Sequence, residues 1–497
     1  MNQLALALSD VFNFGSILSL LIGLIAGYIV GVLPGLNRVT ALAIGLPFTY
    51  HLSPLAAISL LIGISKGGAA GGAITSILLN TPGEPASAAT CLDGYPCTRQ
   101  GKAKKALGTA LYSAFFGDFV ATIILILSAA PLAKVALMMG PIEVCSVLFF
   151  SLTFIAALSG TSLIKGLIAG LLGLFFANVG LDVETALPRL TFGFVDLYDG
   201  VPLLAVGVGV LALSEMMLQI EAAVTSPAGI QAAGEPRLQS QEGLKWGEFK
   251  ALLRTLVRGS VIGTVIGILP GLGATIASFL SYALAKKASK HPERYGKGEL
   301  EGVAAAESAD NAVTAGALIP LFALGIPGSV AAAMLIGALM VHGVTPGPLM
   351  FEQNPRLIYG IYGTMVLASF LILPIGRFGL KVFTHLTRVP DSFLCPVIVY
   401  LCFIGAYMEG SGMFAVWLVI LFGVLGYLMK KLDLSFVTFL IGFILGPMIE
   451  LTLRQSLITL QGSWTRLFQH PIAMVFVLLA LLSAWRLSLM GQKLSKT

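Results

Sequence analysis

Hydrophobic positions along this chain seldom alternate with polar ones. They run on in long blocks, clearest at 106–130, 141–160, 161–179, 201–220, 357–376, 411–429 and 471–485. A bilayer core about 30 Å thick needs roughly 20 apolar residues to be crossed by a helix. Shorter and interrupted apolar segments lie between these blocks. The pattern predicts an all-α integral membrane protein of roughly 12 transmembrane helices, plus broken or half helices. One long polar stretch interrupts it, "EAAVTSPAGIQAAGEPRLQSQEGLKWGEFK" at 221–250. It reads as a cytoplasmic linker between a first membrane repeat, 1–220, and a second, 251–497.

That near-halving prompts a search for an internal repeat. "GVLPGLN" at 31–37 returns as "GILPGLG" at 267–273, an offset of 236 residues (269 − 33). Downstream, "GGAITSILLNTPG" at 71–83 matches "GALIPLFALGIPG" at 316–328, an offset of 245 (328 − 83). The difference falls plausibly in "KKASKHPERYGKGELEG" at 286–302. Each half thus keeps one order: a proline-glycine break, a small-residue segment, a second break. The basic loops do not keep it. In the first half "HLSP" at 51–54 is uncharged, and Arg99, Lys102, Lys104 and Lys105 follow the second break. In the second half Lys286, Lys287, Lys290, Arg294 and Lys297 precede it, and only Arg356 follows. Lys and Arg mark the cytoplasmic side. Their exchange predicts two repeats of inverted topology, the design of secondary transporters. By the same rule the C-terminus reads as cytoplasmic and the N-terminus as external.

Composition narrows the class. The chain is 57% hydrophobic and 11% charged, against about 25% charged in soluble domains. The net charge of +6 follows from basic cytoplasmic loops and calls for no nucleic acid. Residues 1–37 carry no Lys or Arg, so no cleavable signal is expected. The five cysteines show no metal spacing; "CLDGYPC" at 91–97 is the one close pair and reads as loop or filler thiols. No phosphate-binding loop, H-E-x-x-H or G-x-S-x-G motif occurs. A membrane enzyme acting on a lipid or polyprenyl substrate would need clustered acids or metal ligands, and the sequence offers none.

The breaks carry the candidate chemistry. Proline removes a backbone donor and glycine lets the chain turn against a ligand. The freed amides of a half-helix suit an anion, and the freed carbonyls suit Na⁺ or a proton. The second break of each half supplies the candidate substrate residues Asn80, Thr81, Pro82, Gly83, Gly325, Pro327, Gly328 and Ser329, with Lys66 as a charge partner for an anion. The first break supplies candidate coupling-ion residues Pro34, Gly35, Asn37, Pro270, Gly271 and Gly273. Asp310 and Asn311 join them, since an offset of 245 pairs them with Ser65 and Lys66 (310 − 65). Ionisable groups at membrane depth line pathways or sites; Glu307 is a weaker candidate. Na⁺ is the one metal this reading admits. Which break holds the ion and which the anion stays open. Asp182, Glu184, Arg189, Asp196 and Asp199 read as a solvated external loop.

Together "GVLPGLN", "GGAITSILLNTPGEPASA", "LDGYPCTRQGKAKKALG", "GILPGLGA" and "ALIPLFALGIPGSVAAAMLIGALMVHGVTPGPLMF" resemble the large permease subunit, TctA, of the tripartite tricarboxylate transporters. The resemblance runs from about residue 15 to about 447, with Asn37 standing where the family often has glycine. It implies carboxylate import driven by Na⁺ or H⁺ without a cofactor. It implies two partners, a small membrane subunit and a periplasmic solute-binding protein, and a multi-pass place in the bilayer of a bacterial inner membrane. A homodimer is left open. By analogy with other inverted-repeat carriers, it implies an elevator-like movement. The alternatives are an uncoupled anion channel or a membrane scaffold.

Overall fold

The computed structural model describes residues 2–33, 36–158, 163–182, 184–225, 243–386, 391–408, 412–461 and 463–494. Of the chain, 82% is helical. The first half runs α1 (Asn2–Val11), α2 (Phe14–Val32), α3 (Arg38–Gly45), α4 (Pro54–Leu79), α5 (Ala88–Arg99), α6 (Ala103–Leu137), α7 (Pro141–Leu158) and α8 (Leu163–Ala177). A short hairpin follows, β1 (Gly180–Leu181) antiparallel to β2 (Pro188–Arg189), then α9 (Leu203–Gly207), a π-helical turn (Val208–Leu213) and α10 (Ser214–Thr225). The second half runs α11 (Trp246–Ile268), α12 (Gly273–Ala288), α13 (Leu300–Gly316), α14 (Leu318–Leu324), α15 (Val330–Val341), α16 (Met350–Gln353) and α17 (Pro355–Leu386). It ends with α18 (Asp391–Met408), α19 (Gly412–Lys431), α20 (Phe436–Leu460) and α21 (Pro471–Leu494).

Among the described residues eight helices are long and apolar enough to cross a membrane, and five shorter apolar helices accompany them. The expected linker at 221–250 is helical at both ends, since α10 reaches Thr225 and α11 begins at Trp246; its middle lies outside the described residues.

The helix ends follow local chemistry. Asn13 caps α2 by accepting from the Gly15 amide at 3.1 Å, and Pro54 opens α4 at a position where no amide is needed. Ser435 caps α20 by accepting from the Thr438 amide at 3.2 Å. α4 is the central helix. Every residue from Leu55 to Leu78 is buried, Lys66 among them.

α4 packs closely on α2 because glycines line the seam. A β-carbon on Gly23, Gly27 or Gly31 would collide with the carbonyls of Leu60, Ile64 and Gly68. The second half repeats this on α11, where Gly259, Gly263 and Gly267 close on Ala305, Ala309 and Gly316 of α13. Each of these glycines stands 236 residues after its counterpart (259 − 23, 263 − 27, 267 − 31). Between helices in lipid there is little hydrophobic drive, so such close van der Waals approach supplies the adhesion. α6 packs on α13 and α4, α17 packs on α4 and α6, and α7, α8, α20 and α21 form a flanking group.

Candidate functional site

The second break of each half is a hairpin folded back on the first. α4 ends at Asn80, which is left-handed at φ 57°, and α14 ends at Gly325, left-handed at φ 74°. The two positions correspond at the offset of 245 (325 − 80). Asn and Gly are the residues that tolerate this conformation. The chain then turns so that Gly83 lies on the Gly31 carbonyl and on Gly72, whose Cα would be 2.9 Å from a β-carbon there. Gly328 lies likewise on the Gly267 carbonyl and on Ala317, at 2.8 Å. Gly31 and Gly267 each open a first break, so both halves dock hairpin on break through equivalent residues. The Gly271 amide also donates to the Gly328 carbonyl at 3.4 Å.

The two tips differ in exposure. Asn80, Thr81 and Pro82 are exposed, while Gly83 behind them is buried. Gly325, Pro327 and Gly328 are buried, with Pro346, Gly347 and Met448 close to Gly325. Ser329 is half-buried and caps α15, accepting from the Ala332 amide at 3.2 Å.

At the first breaks, Pro34 and Gly35 lie outside the described residues. Asn37 is the N-cap of α3. Its Oδ1 accepts from the Val39 and Thr40 amides, both at 2.9 Å, and from the Thr40 hydroxyl at 3.3 Å. That oxygen is therefore engaged within its own helix. Pro270 is buried, and Gly271 and Gly273 have φ 86° and 67°. Gly273 begins α12 without a side-chain cap, so the Asn37/Gly273 difference is one between a capped and an uncapped helix.

Lys66 is placed differently from its expected role beside a bound anion. Its Nζ donates to Asp118 Oδ2 at 2.7 Å, the Met365 carbonyl at 2.8 Å and Ser369 Oγ at 3.1 Å, with Thr122 Oγ1 at 3.4 Å. An ammonium has three protons, and the three short contacts account for them. Lys66 and Asp118 are each 1% exposed. The pair ties α4 to α6 and α17. In this conformation Lys66 holds helices together and has no donor left for a substrate.

Two residues that the sequence reading passed over sit at the centre. Arg38, the first residue of α3, sends Nε to Glu84 Oε2 and Nη2 to Asp310 Oδ1, both at 3.0 Å, and Nη1 to Thr314 Oγ1 at 3.2 Å. Glu84 follows the first hairpin directly and stands where the second half has Ser329 (329 − 84 = 245). Asp310 is thus held by a residue of the other half. One helical turn away, Glu307 accepts from the Thr90 hydroxyl and from the Asn311 amide at 3.5 Å, and Asn311 also donates to the Glu307 carbonyl at 3.0 Å. Both missed residues had a visible signal: a charge close behind each proline-glycine break of the first half, Glu84 directly after Gly83 and Arg38 three residues after Gly35. A small cavity, about 10 Å³ on a scale where one water needs roughly 10–15 Å³, lies next to this group. Ser65, Lys66, Thr314, Ala331, Ala332 and Met365 line it.

"CLDGYPC" has a joining role. Asp93 Oδ1 accepts from the amides of Gly296, Gly298 and Glu299 at 2.8–2.9 Å, and Oδ2 from Tyr282 at 2.9 Å. Cys97 donates to the Gly298 carbonyl at 3.2 Å. α5 thereby pins the long loop ahead of α13. Further out, Arg454 on α20 bonds Asp182 at 2.6 Å and Glu184 at 2.9 Å, fixing the β1–β2 hairpin. Its hydrogen bond, with the Thr185 and Glu184 amides, holds the Asp182 carboxyl well below the usual range.

The chain is 34% identical over 452 residues, 91% of this chain and 89% of the relative, to an uncharacterised 52.8 kDa protein in the TAR-I ttuC' 3' region of Agrobacterium vitis. A second protein of that organism, in the TAR-II ttuC' 3' region, is 36% identical over 224 residues, 44% of this chain and 93% of the relative. The profile of the tripartite tricarboxylate transporter TctA family matches residues 17–441, across both breaks and both hairpins. This multi-pass membrane protein belongs to the TctA family and is a component of a tripartite tricarboxylate transporter.

Proposed function

We propose that the chain is the large membrane subunit of a binding-protein-dependent secondary transporter that imports tricarboxylates or related carboxylates on a Na⁺ or H⁺ gradient. The observation that carries this reading is the pair of hairpins docked on paired helix breaks, one tip open and its counterpart covered. A carrier of alternating access needs two matched gates that are not open together. Such broken helices survive in a membrane where water, an ion or a substrate satisfies the freed backbone. The matched glycine seams and the exchanged basic loops support two inverted repeats, 1–220 and 251–497, and an elevator-like excursion of the hairpin-bearing segment. The small membrane subunit and the periplasmic binding protein of the same system are the partners, and a bacterial inner membrane is the site.

The substrate contacts in this proposal are the hairpin residues 80–83 and 325–329, and the ion contacts are Asp310, which Arg38 holds, and Asn311 after it in the chain. Uptake of a labelled tricarboxylate by cells expressing all three components tests it. Transport saturates and collapses when both the sodium and proton gradients are dissipated. Asn80→Leu and Ser329→Leu abolish it while the protein still inserts. Linear, gradient-independent flux in the wild type refutes the carrier and favours a channel. Full uptake in both variants refutes the hairpin assignment.

A further inference from the structure

Arg38 is unusual in how its bonds are divided. Nε and Nη2 form the edge of a guanidinium that ordinarily grips one carboxylate with two parallel hydrogen bonds. Here that edge is split: Nη2 donates to Asp310 Oδ1 and Nε is ion-paired with Glu84 Oε2, each through a single oxygen at 3.0 Å. The other oxygens, Glu84 Oε1 and Asp310 Oδ2, are buried and have no hydrogen-bond partner among the described residues. The side chains of Glu84 and Asp310 are 4% and 1% exposed. A buried carboxylate oxygen without a donor is costly, so the arrangement is suited to giving up one set of bonds for another.

The charges around this edge can be counted from every packed element. α3 gives Arg38, the hairpin gives Glu84, and α13 gives Asp310 and Glu307. α5 adds the Cys91 thiol and α2 the Tyr28 phenol, which donates to the Ile372 carbonyl at 3.1 Å. α4 and α6 add Lys66 and Asp118, which neutralise each other. Set aside that pair, and three carboxyl groups face one guanidinium. Carboxyl groups outnumber the one cation that faces them even before an anion arrives.

We infer that Arg38 is the group that grips a carboxylate of the substrate, that Glu84 and Asp310 occupy its bidentate edge as internal stand-ins when the site is empty, and that protons taken up by those two carboxyls release it. This rests on the transporter reading above. The balance is simple. The incoming carboxylate accepts from Nε–H and Nη2–H; Asp310 loses its hydrogen bond and Glu84 its ion pair. A buried carboxylate stripped of its counter-ion does not stay ionised. Each takes a proton from the aqueous side that the exposed residues Asn80, Thr81 and Pro82 border. The bound carboxylate group adds one negative charge and the two protons remove two, so the cluster ends one negative charge lower than it began. Anion binding and proton binding therefore strengthen one another, which is the linkage a symporter needs.

The test uses the purified full chain in nanodiscs, with citrate as a tricarboxylate probe. Experiments run at pH values above citrate's own ionisation range. Binding is read by scintillation proximity, and proton exchange by an indicator dye in weak buffer, with sodium present or replaced by choline. Citrate binding takes up one to two protons per molecule and is unchanged by choline. Linkage then tightens binding roughly tenfold per proton for each unit the pH falls. Glu84→Gln with Asp310→Asn, which imitates the protonated stand-ins, binds citrate with affinity independent of pH and takes up no proton. Arg38→Lys, which keeps the charge but loses the fork, weakens binding at least tenfold. Should that variant fail to fold, the wild-type proton count still decides. Citrate binding without proton uptake, or binding that requires sodium instead, overturns this inference and leaves the transporter reading standing. Absence of binding for citrate and for a panel of di- and tricarboxylates, in protein that elutes as a folded species, overturns both.

Discussion

Removing Asp118 or Lys66 separately, and then both together, exposes what the central ion pair does. In Lys66→Met the Asp118 carboxylate keeps one donor, the Ser369 hydroxyl at 2.6 Å, and its Oδ1 has none. In Asp118→Leu the ammonium keeps the Met365 carbonyl and Ser369 but loses its counter-ion. Neither group needs to stay charged, and that limits the damage. Protonating a carboxyl of ordinary pKa about 3.9 at pH 7 costs about 4 kcal/mol, and deprotonating a lysine of ordinary pKa about 10.4 costs about 5 kcal/mol. Breaking a buried pair by removing one partner costs roughly 3–5 kcal/mol in measured cases, consistent with those ceilings. The double variant replaces both charges with apolar side chains of similar size, which is often neutral or stabilising. The three variants should therefore be strongly non-additive, with a coupling of roughly 3 kcal/mol or more. Reversible unfolding of the detergent-solubilised protein, followed by intrinsic tryptophan fluorescence, measures it. Additive losses would refute the claim that the pair acts as one structural unit. Transport by the double variant adds a second result. Retained uptake fits a tie between α4, α6 and α17, whereas a folded double variant that cannot transport would restore Lys66 to the substrate site.

Other expectations follow from particular residues. Asn80→Gly keeps the left-handed cap, while Asn80→Leu should strain the turn by about 1–2 kcal/mol; with the fold intact, Asn80→Gly should lower uptake through loss of the amide alone, and unchanged uptake would remove the Asn80 side chain from the substrate contacts. Single cysteines at the exposed Lys102 and the part-exposed Pro355, at the starts of α6 and α17, should label from opposite sides of the membrane with an impermeant maleimide, and labelling from one side would refute the inverted repeat. The Asp182 carboxyl is held below its usual range by Arg454. Its contribution is thus complete above an unfolded pKa of about 3.9 and lost only as pH falls through the lower folded value. Amide exchange of the β1–β2 hairpin should stay slow down to about that pH, and Asp182→Asn should speed it at neutral pH; equal protection in the variant would show that Arg454 does not anchor the hairpin.

The helices, the two breaks and their order were legible because each rests on local physics. A run of apolar residues can satisfy its backbone in lipid only as a helix, and a proline followed by glycine ends one wherever it falls. The central helix α4 was harder to read. Its sequence, "PLAAISLLIGISKGGAAGGAITSILL", carries a lysine and many small residues, so it lacks the uniform apolarity of the lipid-facing spans. Its burial explains both features: glycine admits α2, and Asp118 neutralises the lysine. Charge type alone could not assign Lys66, since a buried ammonium reads alike whether it faces a substrate or a carboxylate 52 residues away. Asn37 and Asn80 were chosen as polar groups beside breaks. The structure uses one as a helix cap and the other as a left-handed turn, roles set by backbone angles rather than by composition.

The sequence by itself determined a membrane protein of many helices, a duplicated pair of proline-glycine breaks, and a resemblance strong enough to name the family. Only the tertiary structure decided which charges meet. Arg38 and Asp310 lie 272 residues apart, and no periodicity relates them. Their contact exists because glycine seams bring α4 against α2 and α13 against α11, and the hairpins fold back onto the breaks. A buried charge must find its partner among whatever the packing brings near, and packing is a property of the whole fold.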